Sequence, residues 1–276
     1  MLILVTADLH PDLWRRTGRD PFAALAPVLG AVDALVVAGD LTNNPLRNWP
    51  DALARLSRLI DPAKIHILPG NHDYYHFRLD GDYRLRAMVE DAGMTWAQKA
   101  EVVFGGVRFL CATLWTDFRL TGDEAAAGNA ARQAMNDYRL ILRNARSDIL
   151  LPRHTAEVHA EHLAWLTDRI ARPHAGPTVI VTHHGPSPCA TGPIDRLTPA
   201  FSSDLDGWIL LHKPDLWLFG HTHRRLAGQV GHTRIMNISQ GYPGEVPEGD
   251  ETDILLRGLI DTDAPGLLAD GRKDTE

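Results

Sequence analysis

Only two of the 276 residues are cysteine, Cys111 and Cys189. Two thiols exclude a disulfide scaffold and a thiolate-bound zinc site. Positive charge is not in excess either: 28 Lys and Arg stand against 35 Asp and Glu, a net charge of -7. A protein held on nucleic acid or anionic lipid mainly by its field needs the opposite balance. No run reaches the roughly 18 to 20 apolar residues of a membrane span. The apolar start, Met1 to Val5, is too short for a secretory core, lacks basic residues before it and runs into Asp8 and His10. It is read as the first strand of a cytoplasmic protein. What the chain does have is histidine: fourteen, about twice the usual complement for this length.

Short apolar runs recur, and each stops in polar or Gly-containing sequence. Residues 2–6 end in Ala7-Asp8-Leu9-His10, 34–38 in Gly39-Asp40, and 65–68 in Pro69-Gly70-Asn71-His72-Asp73. Residues 179–181 end in Thr182-His183-His184, and 215–219 in Gly220-His221-Thr222-His223. Unbroken apolar runs of this length suit strands covered on both faces. Helices are expected at 21–32, with Asp20 as N-cap and Pro21 in the first turn, and at 49–60. The β-α-β-α-β order predicts a layered α/β fold around a mainly parallel sheet. Two strands are expected around Gly105-Gly106, then a helical insertion over 122–172. Further short strands are expected at 226–230, 234–238 and 254–260, with a frayed polar tail at 262–276. No internal repeat or linker divides the chain.

The chemistry-bearing residues gather at the carboxyl ends of these strands, the edge where open α/β sheets bind ligands. They are Asp8, His10, Asp40, Asn71, His72, His183, His184, His221 and His223. Oxygen and imidazole donors without thiolate suit Mn, Fe or Zn. Asp8-X-His10 and His221-X-His223 have the spacing at which alternate residues of an extended segment point the same way. Seven candidate ligands are more than one ion requires, whereas two ions bridged by a carboxylate would use them all.

Asp8-X-His10, Gly39-Asp40, Gly70-Asn71-His72-Asp73, His183 and Gly220-His221-X-His223 together resemble the five ordered blocks of the calcineurin-like metallophosphoesterase superfamily. The resemblance covers about residues 1–240, with no ligand substituted. It implies a four-layer αββα sandwich, taken here as a single domain over 1–261. It also implies two divalent or trivalent metal ions. One would be held by Asp8, His10, Asp40 and His223, the other by Asp40, Asn71, His183 and His221. His72 would be the leaving-group acid, with Asp73 orienting it. The activity implied is hydrolysis of a small phosphodiester or phosphomonoester by a metal-bridging hydroxide.

Softer candidates surround this set. Trp115 and Asp117 follow a strand and either project toward the metals or form a turn with a buried Trp. Arg196, on the Pro-restricted loop after His183, is a candidate for bidentate phosphate binding or a solvated cation. His184 is the alternative to its neighbour His183, and Tyr242 is expected near the metal edge. A nuclease or a non-catalytic metal-binding scaffold remains the alternative. The first lacks a visible Arg/Lys stripe with stacking aromatics, and the second usually shows lost ligands.

Overall fold

The computed structural model describes residues 1–264 and 266–268. Its strands, in chain order, are β1 (Leu2–Thr6), β2 (Ala34–Ala38), β3 (Ile65–Leu68), β4 (Phe77–Arg78), β5 (Thr95–Trp96), β6 (Ala100–Phe104) and β7 (Val107–Ala112). They continue as β8 (Ile141–Leu142), β9 (Thr178–Thr182), β10 (Leu216–Phe219), β11 (Ala227–Val230), β12 (Thr233–Asn237) and β13 (Leu259–Asp261). One sheet has the order β13-β1-β2-β3-β5 and a second the order β11-β12-β10-β9-β7-β6. Pairing is parallel across β1, β2, β3 and β5, and again across β7, β9, β10 and β12. The outer pairs β13–β1, β6–β7 and β11–β12 are antiparallel.

Alternation along each strand divides the apolar residues into layers. Ile3 and Val5 of β1 join Val36, Phe109, Val179, Val181 and Leu218 in a core between the two sheets. Leu4, on the opposite face, packs with Phe22, Leu25, Trp49 and Leu53 of the helices covering the first sheet. Ile180, Trp217 and Ile235 face Leu166 and Ile209 of helices over the second. Helix, sheet, sheet, helix is the αββα sandwich the resemblance implies. Burial on both faces explains why the strands read as unbroken apolar runs.

Several expected boundaries move. The first helix is Pro21–Leu29, with Asp20 accepting from Phe22 N at 3.0 Å. The second starts earlier than 49, at Pro45, because Pro45 takes the first turn and the exposed Pro50 is tolerated inside. A helix at Asp82–Asp91, unforeseen, completes the β3-helix-β5 crossover. The expected strand 254–260 is instead helix Glu251–Leu256 followed by β13, which pairs with β1. Within the insertion lie helices Glu124–Ala134, Asp137–Leu140 and Pro152–Ile170. Of the expected tail, Leu267 is buried and Leu268 bridges to Ile260, so 266–268 folds against β13. Residues 265 and 269–276 lie outside the described set. No helix among the described residues is long and apolar enough to cross a membrane.

Candidate metal centre

Loops after β1, β2 and β3 of one sheet meet those after β9 and β10 of the other, and the seven candidate ligands converge there. Asp8, His10, Asp40, His221 and His223 have φ of 59°, 41°, 55°, 69° and 52°. Left-handed backbone at five non-glycine positions is strained and persists only where the surroundings over-determine it. Glycines open the space between: a Cβ on Gly39 would stand 2.7 Å from Gly70 Cα, and one on Gly220 would stand 2.7 Å from Asp8 Oδ2.

Two groups could each hold an ion: Asp8, His10, Asp40 and His223, and Asp40, His183 and His221. The ligand-type atoms of each lie within 4.8 Å of one another. Asp40 stands in both. Its Oδ2 is 3.6 Å from His10 Nε2, while its Oδ1 is 3.4 Å from His183 Nε2. His223 Nε2 lies 3.3 Å from Asp8 Oδ1, and Asn71 Oδ1 lies 3.0 Å from His183 Nε2. Donor atoms around one first-row ion, with bonds of about 2.1 Å, are separated by roughly 3.0 to 3.4 Å. Both ring nitrogens of His10 and Nε2 of His221 are buried with no hydrogen-bond partner. Orphaned donors in a buried site are costly unless something such as an ion binds them. The residues fit a metal pair.

The electrostatics divide the histidines. Burial and the neighbouring His72 push His10 down to about 3. Burial and His184 likewise hold His221 well below its ordinary value, so both rings are neutral donors. Burial works to lower His183 and His223 too. Asp40 overcomes it at His183, raising it to about 9, and Asp8, with Glu245, raises His223 to about 10. Asp40, despite burial, is held well below the carboxylate range by His183, His72 and His10.

His72 Nε2 faces the centre, 3.9 Å from Asp40 Oδ2 and 3.3 Å from the Tyr242 hydroxyl. Asp73 does not orient it. In the short 3-10 turn His72–Tyr74 adjacent side chains diverge, and Asp73 points into the protein. There it accepts from the amides of Leu41, Thr42 and Gly70 and from Trp49 Nε1, at 3.2, 3.0, 2.9 and 2.9 Å. Burial and Asp40 push it up to about 7. Four N–H partners and no acceptor nevertheless suit its carboxylate form. The group on His72 Nδ1 is Asn43 Oδ1, at 2.7 Å, and Asn43 Nδ2 donates in turn to Asp12 Oδ2 at 2.9 Å.

Tyr242 lies over the centre, its ring 4.3 Å from that of His223 and 4.9 Å from that of His10. His184 is in neither group. It stacks on Trp115 with ring centroids 5.0 Å apart and turns Nδ1 to Thr113 O at 3.4 Å. Trp115 is buried, as the turn alternative has it. Asp117 is spent on a turn, accepting from Arg119 N at 3.0 Å, and Arg196 is exposed on its loop. Sequence reasoning missed Asn43, Asp12, Glu245, Tyr75 and Asp137. Glu245 Oε2 meets His223 Nδ1 at 2.7 Å, and Asp137 Oδ1 accepts from both Asn71 Nδ2 and the Tyr75 hydroxyl at 2.8 Å. Asp12, Asn43 and Tyr75, two or three residues beyond His10, Asp40 and His72, carried a local signal.

The model of the calcineurin-like phosphoesterase family matches residues 1–225. The chain belongs to that family. An uncharacterised protein of Acanthamoeba polyphaga mimivirus, L509, is 25% identical over 211 residues, 68% of this chain and 71% of that protein. Among solved structures, the phosphopantetheinyl hydrolase of Mycobacterium tuberculosis is similar with a TM-score of 0.66 and 19% identity, covering 88% of this chain and 90% of that one. The Thermus thermophilus protein TT1561 is similar at 0.51 and 19%, covering 86% and 88%. These likenesses extend the calcineurin-like fold over most of this chain. Within the family, the paired groups around Asp40 are candidate metal-binding residues of a phosphoester hydrolase.

Proposed function

We propose that this calcineurin-like phosphoesterase hydrolyses a small phosphodiester or phosphomonoester in the cytoplasm with two first-row metal ions, Mn, Fe or Zn. The observation that carries the reading is the shared carboxylate: one oxygen of Asp40 faces His183 and the other faces His10. Asp8, His10, Asp40 and His223 would hold one ion, and Asp40, Asn71, His183 and His221 the other. Bound there, the pair would supply Lewis acidity and a nucleophile at neutral pH.

The chain's own residues do the rest. Asn43 donates through Nδ2 to Asp12, so its Oδ1 is committed to accepting from His72 Nδ1. Nδ1 therefore keeps its proton, and the proton that moves is the one on Nε2, which faces the centre beside Tyr242. From there His72 donates to the departing oxygen. Tyr242, with His10 and His223 against its ring, closes one wall and positions the ester. Asp8, His10, Asp40, Asn71 and His183 are exposed by 1% or less and His221 by 8%, so packing around the donor side chains holds them in place.

The test is metal analysis with turnover of an activated aryl phosphodiester, followed by a panel of cyclic nucleotides, nucleotide diphosphate esters, glycerophosphodiesters, a phosphopantetheinyl ester and simple monoesters. The phosphopantetheinyl ester is included because one fold neighbour is named for that activity. Hydrolysis that requires added Mn, Fe or Zn supports the reading. Full loading with no hydrolysis of any phosphoester would leave a non-catalytic metal-binding scaffold instead.

A further inference from the structure

The helical insertion places one carboxylate behind the centre. Asp137 opens the short helix Asp137–Leu140 and is 3% exposed. Its Oδ1 accepts from Asn71 Nδ2 and from the Tyr75 hydroxyl, both at 2.8 Å. A carboxamide can sit either way round, but only its oxygen can ligate a metal. Asn71 Nδ2 donates to Asp137 Oδ1, which leaves the carboxamide oxygen facing His183, 3.0 Å from its Nε2. Tyr75, held by the same oxygen, stacks on the His72 ring with centroids 4.1 Å apart and planes 27° apart. One atom thus touches a side chain of the candidate metal group and, through Tyr75, the acid.

We propose that Asp137 is a positioning residue that fixes the Asn71 carboxamide for the ion shared by Asp40, Asn71, His183 and His221, and that the helical insertion serves to deliver it. This rests on the two-ion reading above. The insertion is therefore more than a cover over the sheets. The separation of 66 residues between donor and acceptor makes the insertion's docking a condition for completing that group. Groups that hold a ligand from behind typically govern metal affinity by about 10- to 100-fold.

The metal-stripped protein is titrated with Mn²⁺, following the EPR signal of free Mn²⁺. Wild type should bind two ions. Asp137→Ala should bind one ion as wild type does and the other about 10- to 100-fold more weakly. Asp137→Leu, which keeps the volume without an acceptor, is the second variant should alanine leave the chain unfolded, and it should behave alike. Asp137→Asn retains an accepting oxygen and should restore the second ion, an effect general loosening would not produce. Tyr75→Phe should keep both ions. A folded Ala or Leu variant binding both ions at wild-type affinity overturns the proposal. An Asn variant as weak as alanine overturns the orienting mechanism. Wild type binding fewer than two ions overturns the two-ion reading on which it stands.

Discussion

The two halves of the centre share Asp40 but are braced from different parts of the chain. Behind Asp8, His10 and His223 stands Glu245, three residues from Tyr242 in the loop that follows β12. Behind Asn71 and His183 stand Asp137 of the helical insertion and the Ala38 carbonyl, 3.0 Å from His183 Nδ1. One half is braced by a loop of the sandwich itself, the other partly by a block added to it. The difference separates what the fold supplies from what the insertion tunes, and each half can be disturbed on its own.

The largest effect should come from the residue common to both. Asp40→Asn removes the shared charge and should lose both ions and all turnover, read by metal analysis and by aryl phosphodiester hydrolysis. Retention of both ions would show that the halves do not depend on Asp40. His72→Ala touches neither half's donors. It should keep both ions and lower kcat by about 10² to 10⁴. Loss of an ion in that variant would place His72 among the ligands.

How much of this was legible follows from where each residue sits. Asp8, His10, Asp40, Asn71, His183, His221 and His223 were readable because each ends an apolar run, and strand ends are fixed by burial. Their braces were not, since His72–Asn43, His223–Glu245 and Asn71–Asp137 join positions 29, 22 and 66 apart, with no periodicity to link them. Asp73 was misread because adjacency in sequence suggested adjacency in space. In a 3-10 turn, neighbouring side chains point about a third of a turn apart. The helix 251–256 escaped for a related reason: Ile254 and Leu255 are buried as a strand's residues would be, but Ile254 packs with Trp14 and Val246 while Leu255 joins the core on the helix-covered face of the first sheet.

A pH series sharpens the comparison, because each half contains one histidine that is neutral and one that is charged when no ion is bound. His183 and His223 are raised from 6.5 to about 9 and about 10. A raised histidine stabilises the metal-free protein fully below 6.5 and loses that contribution as pH climbs through 9 to 10. Ions must displace those protons, so Mn²⁺ affinity should rise over the same interval while metal-free stability falls. Calorimetric titration and thermal melts across pH 6 to 9, in roughly unit steps, check both signs. Affinity independent of pH would contradict the assignment.

Smaller effects should fall on single braces. Glu245→Ala should weaken the ion beside His223 by about 10-fold while sparing the other, the mirror of Asp137→Ala. Competition against a fluorescent chelator reads it, and equal weakening of both ions would erase the distinction between the halves. Asn43→Ala should leave both ions in place and lower kcat by about 10-fold, because Nδ1 of His72 loses the acceptor that holds the ring. An unchanged kcat would free His72 from Asn43.

The most direct measurement is anomalous diffraction from crystals grown with Mn²⁺. Two peaks are expected to flank Asp40, one beside Oδ2 toward His10 and His223, the other beside Oδ1 toward Asn71 and His183. A single peak, or two peaks not sharing the Asp40 carboxylate, would contradict that arrangement.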